Sequence, residues 1–311
     1  MTAHVGRLQL PNPVMTASGT SGRGAELGAY FDLSALGAVV VKSLSAEPWP
    51  GNVAPRLVPL TGGMLNSVGL QNPGLSAWAQ DDLPALARAG ARVVVSVWAT
   101  SVDGYGHVGE QLARLVAEGG PASHVVAVEA NISCPNVQDR ERMFSHSVSA
   151  AGAALGALVG ALGPSGLPVW AKLSPNVADL QAVAEAVLGA GAAGLTLVNT
   201  MMGLAIDPVS GRARLGGGGG GLSGPALHPV AVRAVYECRK AFPEAAIIGV
   251  GGVTSGYEAA EMLAAGADAV QVGTASFADP RAPARVLLQL ESWCAEQGLD
   301  SLVGLVGRAH G

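Results

Sequence analysis

Short runs of apolar, mostly β-branched residues alternate along the chain with longer stretches whose apolar positions recur at helical spacing. The runs fall at 14–17, 39–41, 93–97, 125–128, 169–173, 195–198, 247–250 and 269–272. Each is almost continuously apolar instead of alternating, the pattern of a strand covered on both faces of a parallel sheet. Between them, residues 75–90, 106–119, 147–162, 179–190, 227–241 and 256–265 carry Ala, Leu and Glu in a helical pattern. A short alternating segment at 5–10 precedes the first run. Eight strands alternating with helices, without a domain linker, predict an α/β fold of the (β/α)8 TIM-barrel type. One domain then spans residues 1–311. An open doubly wound sheet is the runner-up, and it usually has fewer strands.

Polar residues gather where the runs end: Ser18-Gly19-Thr20, Lys42-Ser43, Ser96 to Thr100, Asn131 to Asn136, Lys172 to Asn176, Asn199-Thr200, Gly251-Gly252 and Gly273-Thr274. A barrel brings all these ends to one rim, the face on which active sites are built. The stretch 125–136, VVAVEANISCPN, is the richest of them. Pro135 cannot donate to a strand ladder, so the strand stops near Asn131 and Cys134 falls on the following loop. A thiol there serves as nucleophile or base if its thiolate is accessible; the structural alternative is a buried, inert cysteine.

Two sub-sites follow. Gly251-Gly252 and Gly273-Thr274 end the last two strands, where backbone N–H groups can approach a phosphate closely. Lys42 and Lys172, with Asn66, Asn131 and Asn199, form a second face. Lysines just past apolar strands are partly desolvated and need anionic partners. Glu129 is the main protein candidate, but acids are few there, so a ligand anion is the preferred reading. Two long connections interrupt the pattern, 44–74 and 201–225, the second with six consecutive glycines at 216–221. Long loops of this kind act as lids or binding loops, while the glycines themselves read as a flexible linker without chemical role. Residues 137–146, with Asp139, Arg140, Glu141 and Arg142, are placed to close over the rim.

Composition narrows the function classes. Hydrophobic residues make up 49% and charged residues 13%, which excludes disorder. A net charge of −5 leaves no electrostatic footprint for nucleic acid. The three cysteines, Cys134, Cys238 and Cys294, form no CxxC pair and cannot build a four-thiolate cluster. An odd cysteine count without a secretory signal points to reduced thiols in the cytoplasm. Residues 143–171 lack Asp, Glu, Lys and Arg, but their Ala, Gly and Pro content suits a closely packed soluble helix better than a membrane span.

Several segments resemble the class 1 dihydroorotate dehydrogenases: ASGTSGRG (17–24), GGMLNSVGLQNPG (62–74), NISCPNV (131–137), AKLSPNV (171–177) and GGLSGPALHPVA (220–231). IIGVGGV (247–253) and AVQVGTA (269–275) continue the likeness in order. The resemblance implies a barrel holding FMN that oxidises dihydroorotate to orotate in pyrimidine synthesis. Cys134 would be the base that removes a ring proton as a hydride passes to the flavin, with Lys42 near both substrate and cofactor. Asn66, Gly69, Leu70, Asn131, Asn136, Asn199 and Thr200 match residues that hold the substrate. Ala17, Ser18, Gly19, Lys42, Ser43, Ser96, Asn131, Lys172, Val198, Gly224, Gly251, Gly252, Gly273 and Thr274 match flavin contacts, the last four at the phosphate. Lys172 would be the fixed cation that stabilises the reduced ring.

The stretch SVWAT departs from the family: Ser96 stands where an Asn is common and reaches less far, and Trp98 adds bulk. The NSVGLQNPG form resembles subclass 1B, which implies a homodimer and a partner subunit carrying FAD and a [2Fe–2S] cluster that passes electrons to NAD. Two alternatives stay open on sequence: a related flavin barrel acting on another dihydropyrimidine, and a non-catalytic paralogue of which Ser96 is the first sign.

Overall fold

The computed structural model describes residues 1–133, 135–136 and 142–311, and in it every apolar run becomes a buried strand. A hairpin comes first: β1 (Ala3–Val5) and β2 (Leu8–Leu10), turning at Gly6. It buries Ala3, Val5 and Leu10, which explains the alternation seen there. The chain then runs β3 (Val14–Thr16), β4 (Val39–Val40), β5 (Leu57–Leu60), β6 (Gly63–Asn66), α1 (Leu75–Asp81), α2 (Leu83–Arg88), β7 (Val93–Val97), α3 (Val102–Glu118) and β8 (Val125–Asn131). Next come β9 (Pro135–Asn136), β10 (Arg142–Met143), α4 (Val148–Leu162), β11 (Val169–Leu173), α5 (Leu180–Gly189) and β12 (Gly194–Leu197). The second long connection holds β13 (Met201–Gly203), β14 (Ile206–Asp207), β15 (Arg212–Ala213) and β16 (Gly220–Ser223). The chain finishes with α6 (His228–Ala241), β17 (Ala246–Val250), α7 (Gly256–Ala264), β18 (Ala269–Val272), α8 (Ala275–Ala278) and α9 (Ala282–Glu296).

Eight parallel strands lie in the order β3-β18-β17-β12-β11-β8-β7-β4. The two ends of that series meet: Gly37 N donates to Val14 O at 2.8 Å and Thr16 N to Ala38 O at 3.3 Å. The sheet thus closes on itself, and the fold is a (β/α)8 barrel rather than an open doubly wound sheet. Between β3 and β4 the chain makes 3₁₀ turns at Glu26–Ala29 and Leu33–Ala35 in place of an α-helix. Rim loops hand over to helices through side-chain caps: Ser101 accepts from Gly104 N, Ser147 from Ala150 N and Asp179 from Ala182 N.

The uncharged helix α4 packs between α3 and α5 on the outside of the barrel. Val148–Ser165 is long and apolar enough to cross a membrane, yet Ala151, Ala154, Leu155 and Leu158 are buried against the barrel. Small residues set the spacing: a Cβ on Gly109 of α3 would lie 2.8 Å from Ala161 Cβ and 3.1 Å from Leu158 Cδ1. Gly109→Val is therefore expected to destabilise the fold by about 3 kcal/mol through overpacking. Thermal unfolding checks this, and an unchanged Tm would contradict it.

The two long connections do not behave as independent loops. They fold together into an antiparallel sheet of order β13-β16-β6-β5 over the barrel mouth, with Gly221 opposite Asn66 and Leu222 opposite Leu65. Its small core is Val58, Leu65 and Leu215. This corrects the reading of 216–221 as a flexible linker, because Gly220 and Gly221 are buried in β16. A Cβ on Gly220 would sit 2.5 Å from Asn66 O, and one on Gly221 would collide with Thr200 Oγ1. The glycines are there for close approach, not for freedom.

Candidate active site

Strand ends and the antiparallel cap enclose a cleft of about 990 Å³ at the C-terminal mouth of the barrel. Its walls gather Ala17, Ser18 and Gly19 after β3, Lys42 and Ser43 after β4, and Asn131 and Lys172 at the ends of β8 and β11. Val198, Asn199 and Thr200 follow β12, Gly251 and Gly252 follow β17, and Gly273 and Thr274 follow β18. The long connections add Asn66, Gly69, Leu70 and Gly224. Cys134 lies outside the described residues, as do residues 137–141, including Asp139, Arg140 and Glu141. Asn136 is described by its backbone pairing with Arg142 alone.

Ser96 does not line the cleft. It is fully buried on β7, beneath Ser43, and the two hydroxyl oxygens are 2.9 Å apart. A residue expected to touch a ligand directly instead supports one that lines the cleft. Trp98 is buried too and meets Trp49 edge-on with centroids 5.3 Å apart, so its bulk fills space under the 44–52 segment.

Hydrogen bonds pin the polar side chains of the floor. Ser18 and Ser43 hydroxyls lie 3.2 Å apart, and Asn131 Nδ2 donates to Ser43 Oγ at 3.3 Å. Asn199 Nδ2 donates to Asn131 Oδ1 at 3.2 Å, while Tyr105 Oη donates to the Asn131 carbonyl at 2.7 Å. Asn176 braces the next turn, donating to Thr200 O at 2.9 Å and accepting from Met202 N at 2.8 Å. Such networks fix amide orientation before any ligand arrives. Leu70 has φ 62°, a left-handed conformation that is an outlier for a bulky side chain. Asn72 holds it there, donating to Leu70 O at 2.9 Å while its own Oδ1 accepts from Ser45 N and Gly74 N. Strained backbone over-determined in this way is a feature of ligand clamps.

The two lysines differ. Lys172 Nζ lies 3.4 Å from Glu129 Oε1 and 3.4 Å from Gln271 Oε1, all within the barrel interior. This corrects the preference for a ligand anion at Lys172: the protein supplies its counter-charge. Strand alternation explains it, since Glu129 and Asn131 share the inward face of β8. Lys42 has no hydrogen-bond or ion-pair partner among the described residues. Its side chain runs over Gly19, where a Cβ would come within 3.3 Å of Lys42 Cδ. Burial, and after it the charge of Lys172, pushes the Lys42 ammonium down to about 8. A cation so placed favours an anion that can restore its charge.

At the opposite end, Gly251 and Gly252 take φ 141° and 67°, which only glycine adopts readily. A Cβ on Gly252 would lie 2.7 Å from His228 Cβ and 2.9 Å from Gly224 O. His228 Nδ1 is 2.8 Å from Gly251 O and its Nε2 is 3.0 Å from Glu261 Oε2, so α6 and α7 jointly hold the turn. Backbone N–H groups in such a turn suit a phosphate. His228, Asn72 and Gln271 are the residues missed from sequence. The signals were a polar amide inside the AVQV strand, an Asn-Pro-Gly turn and a histidine next to a proline at a helix start. Cys238 and Cys294 are buried, and burial pushes the Cys238 thiol up to about 12, leaving it unreactive.

Residues 1–293 match the protein family described as Dihydroorotate dehydrogenase. The chain is similar to a Geobacter protein named Dihydroorotate dehydrogenase B (NAD(+)), catalytic subunit, 42% identical over 307 residues, 99% of this chain and 97% of that protein. A Desulforudis audaxviator protein of the same name is 44% identical over 303 residues, 97% of this chain and 95% of its own length. A Pelobacter propionicus protein of that name is 43% identical over 307 residues, 99% and 97% of the two lengths.

Proposed function

Since the chain belongs to the dihydroorotate dehydrogenase family, we propose that it oxidises dihydroorotate to orotate in pyrimidine biosynthesis as one FMN-binding barrel over residues 1–311. The observation that carries this reading is Lys42: a largely desolvated ammonium without a counter-charge among the described residues, in a cleft whose amides are already oriented. It asks for a small anion decorated with hydrogen-bonding groups, which describes a carboxylated pyrimidine.

The cleft also fits FMN. About 990 Å³ takes a flavin and a small acid together, and the Gly251-Gly252 turn provides the tight backbone a phosphate needs. Gly273 and Thr274 complete that end, and Ala17, Ser18, Gly19, Ser43, Val198 and Gly224 line the space between. Ser96 acts through Ser43. Bound FMN would supply the two-electron acceptor.

In this reading Lys42 pairs with the substrate carboxylate, and Asn66, Asn131, Asn136, Asn199 and Thr200 hold the ring's amide edges. Gly69 and Leu70 form the clamp beside them. Cys134 takes the ring proton: a thiol with an ordinary pKa of about 8.5 can hold a proton that a serine hydroxyl cannot accept near neutrality. Ser133 and Met143, on either side of the segment carrying Cys134, both line the cleft, which supports that role. The cap excludes water from the exchange.

Relatives named as catalytic subunits belong to larger assemblies. We assign this chain the same place, with electrons passing to NAD through a partner subunit carrying FAD and a [2Fe–2S] cluster, and with the barrel itself forming a cytoplasmic homodimer. A pH titration tests the anion reading. Lys42 titrates near 8 in the open cleft, and a bound carboxylate holds its proton. Orotate affinity is therefore expected to be flat below about pH 8 and to fall about tenfold per unit above it, read from flavin absorbance. Affinity independent of pH up to about 9.5 would remove Lys42 from the site.

A further inference from the structure

We propose that Glu129 is a positioning residue that mutes the charge of Lys172 and so lowers the preference of the site for reduced over oxidised flavin. The inference rests on the FMN reading above and deepens it.

Glu129 is fully buried on β8, and Gln271 is fully buried on β18, on the opposite side of the barrel. Gln271 Nε2 donates to Glu129 Oε2 at 2.7 Å, and Lys172 donates to Gln271 Oε1 at 3.4 Å. With the Lys172–Glu129 contact of 3.4 Å, the three side chains close a triangle across the barrel interior, under the cleft that Lys172 lines. Among the described residues the Glu129 side chain makes no other hydrogen bond, and its Oε1, which receives none, faces the lysine. A buried carboxylate is unfavourable where apolar packing would serve, so its presence here has to be explained by what it does to its neighbour.

Its effect is electrostatic. Lys172 and Glu129 together carry no net charge, and among the described residues Lys42 is the cleft-floor cation without a counter-charge. A full positive charge beside the flavin favours the electron-rich reduced form, and a neutral pair favours it less. Gln271 holds both partners by the two ends of one amide, which keeps the lysine from swinging to the ligand alone.

The test is the reduction potential of the FMN-loaded protein, measured by equilibration with a reference dye, alongside flavin affinity. Glu129→Gln keeps shape and hydrogen bonding but removes the charge. It is expected to bind reduced flavin about tenfold more tightly relative to oxidised, a shift of about +30 mV for a two-electron couple. Glu129→Asp should stay close to wild type. A second variant, Glu129→Met with Lys172→Met, removes both charges and replaces a buried ion pair by packing, a change that folds readily. The reduced-to-oxidised preference should then move less than about threefold, about 14 mV. An unmoved potential in Glu129→Gln, or a larger fall in the double variant, overturns the proposal while leaving FMN binding intact. Wild-type protein that takes up no FMN overturns the FMN reading and this inference together.

Discussion

Replacing Cys134 with serine is expected to slow flavin reduction by dihydroorotate about 1000-fold at pH 7, with FMN still bound. The magnitude follows from what a positioned base contributes, and serine at this position is too weak a base near neutrality. Anaerobic rapid mixing reads the half-reaction directly and separates it from any later transfer to a partner. The variant discriminates between two bases, because Lys42 also titrates close to neutrality, near 8. If Lys42 took the proton, the serine variant would keep most of its rate. A loss smaller than about tenfold would move the base away from Cys134.

Lys42→Met is expected to weaken orotate binding about 100-fold and, at the same time, to raise the Tm of the ligand-free protein. The first effect is the loss of a desolvated charge pair, worth about 3 kcal/mol. The second follows from the sign of the pKa shift. In the folded chain the ammonium titrates near 8, below its ordinary 10.5, so the unfolded chain holds the proton more strongly. Below about pH 8 the group opposes folding by its full penalty, and stability recovers as pH rises toward about 10.5. Methionine has nearly the same length and no charge, so it removes that penalty. Weaker binding with greater stability distinguishes a functional cation from a structural one. If Tm falls while affinity holds, Lys42 is a packing residue.

Much of this was legible because a barrel strand is buried on both faces. Val93–Val97 and Ala246–Val250 are apolar at every position but Ser96 and Gly249, and such runs need no tertiary information to be read. The rim residues followed, since each run ends in the polar groups that face the cleft. The cap sheet was not legible. Its strands read LVPL, GMLN, MMG and GGLS, too short and irregular for period-two alternation. Its central pairing joins Asn66 to Gly221, two residues in different loops, and glycines required by that contact look like linker in one dimension. The Lys172–Glu129 pair was half legible: the carboxylate was visible, but its inward direction depended on counting back two residues from Asn131. His228 was hidden, because its role is set by Gly251 and Glu261 from two other elements.

The central claim is that one mouth of this barrel holds FMN and dihydroorotate together. An absorbance spectrum of the purified protein, taken before and after adding dihydroorotate without oxygen, tests it most directly. A flavin spectrum that bleaches on addition is the predicted result. A flavin spectrum that dihydroorotate leaves unchanged, while dithionite still reduces it, would contradict the account.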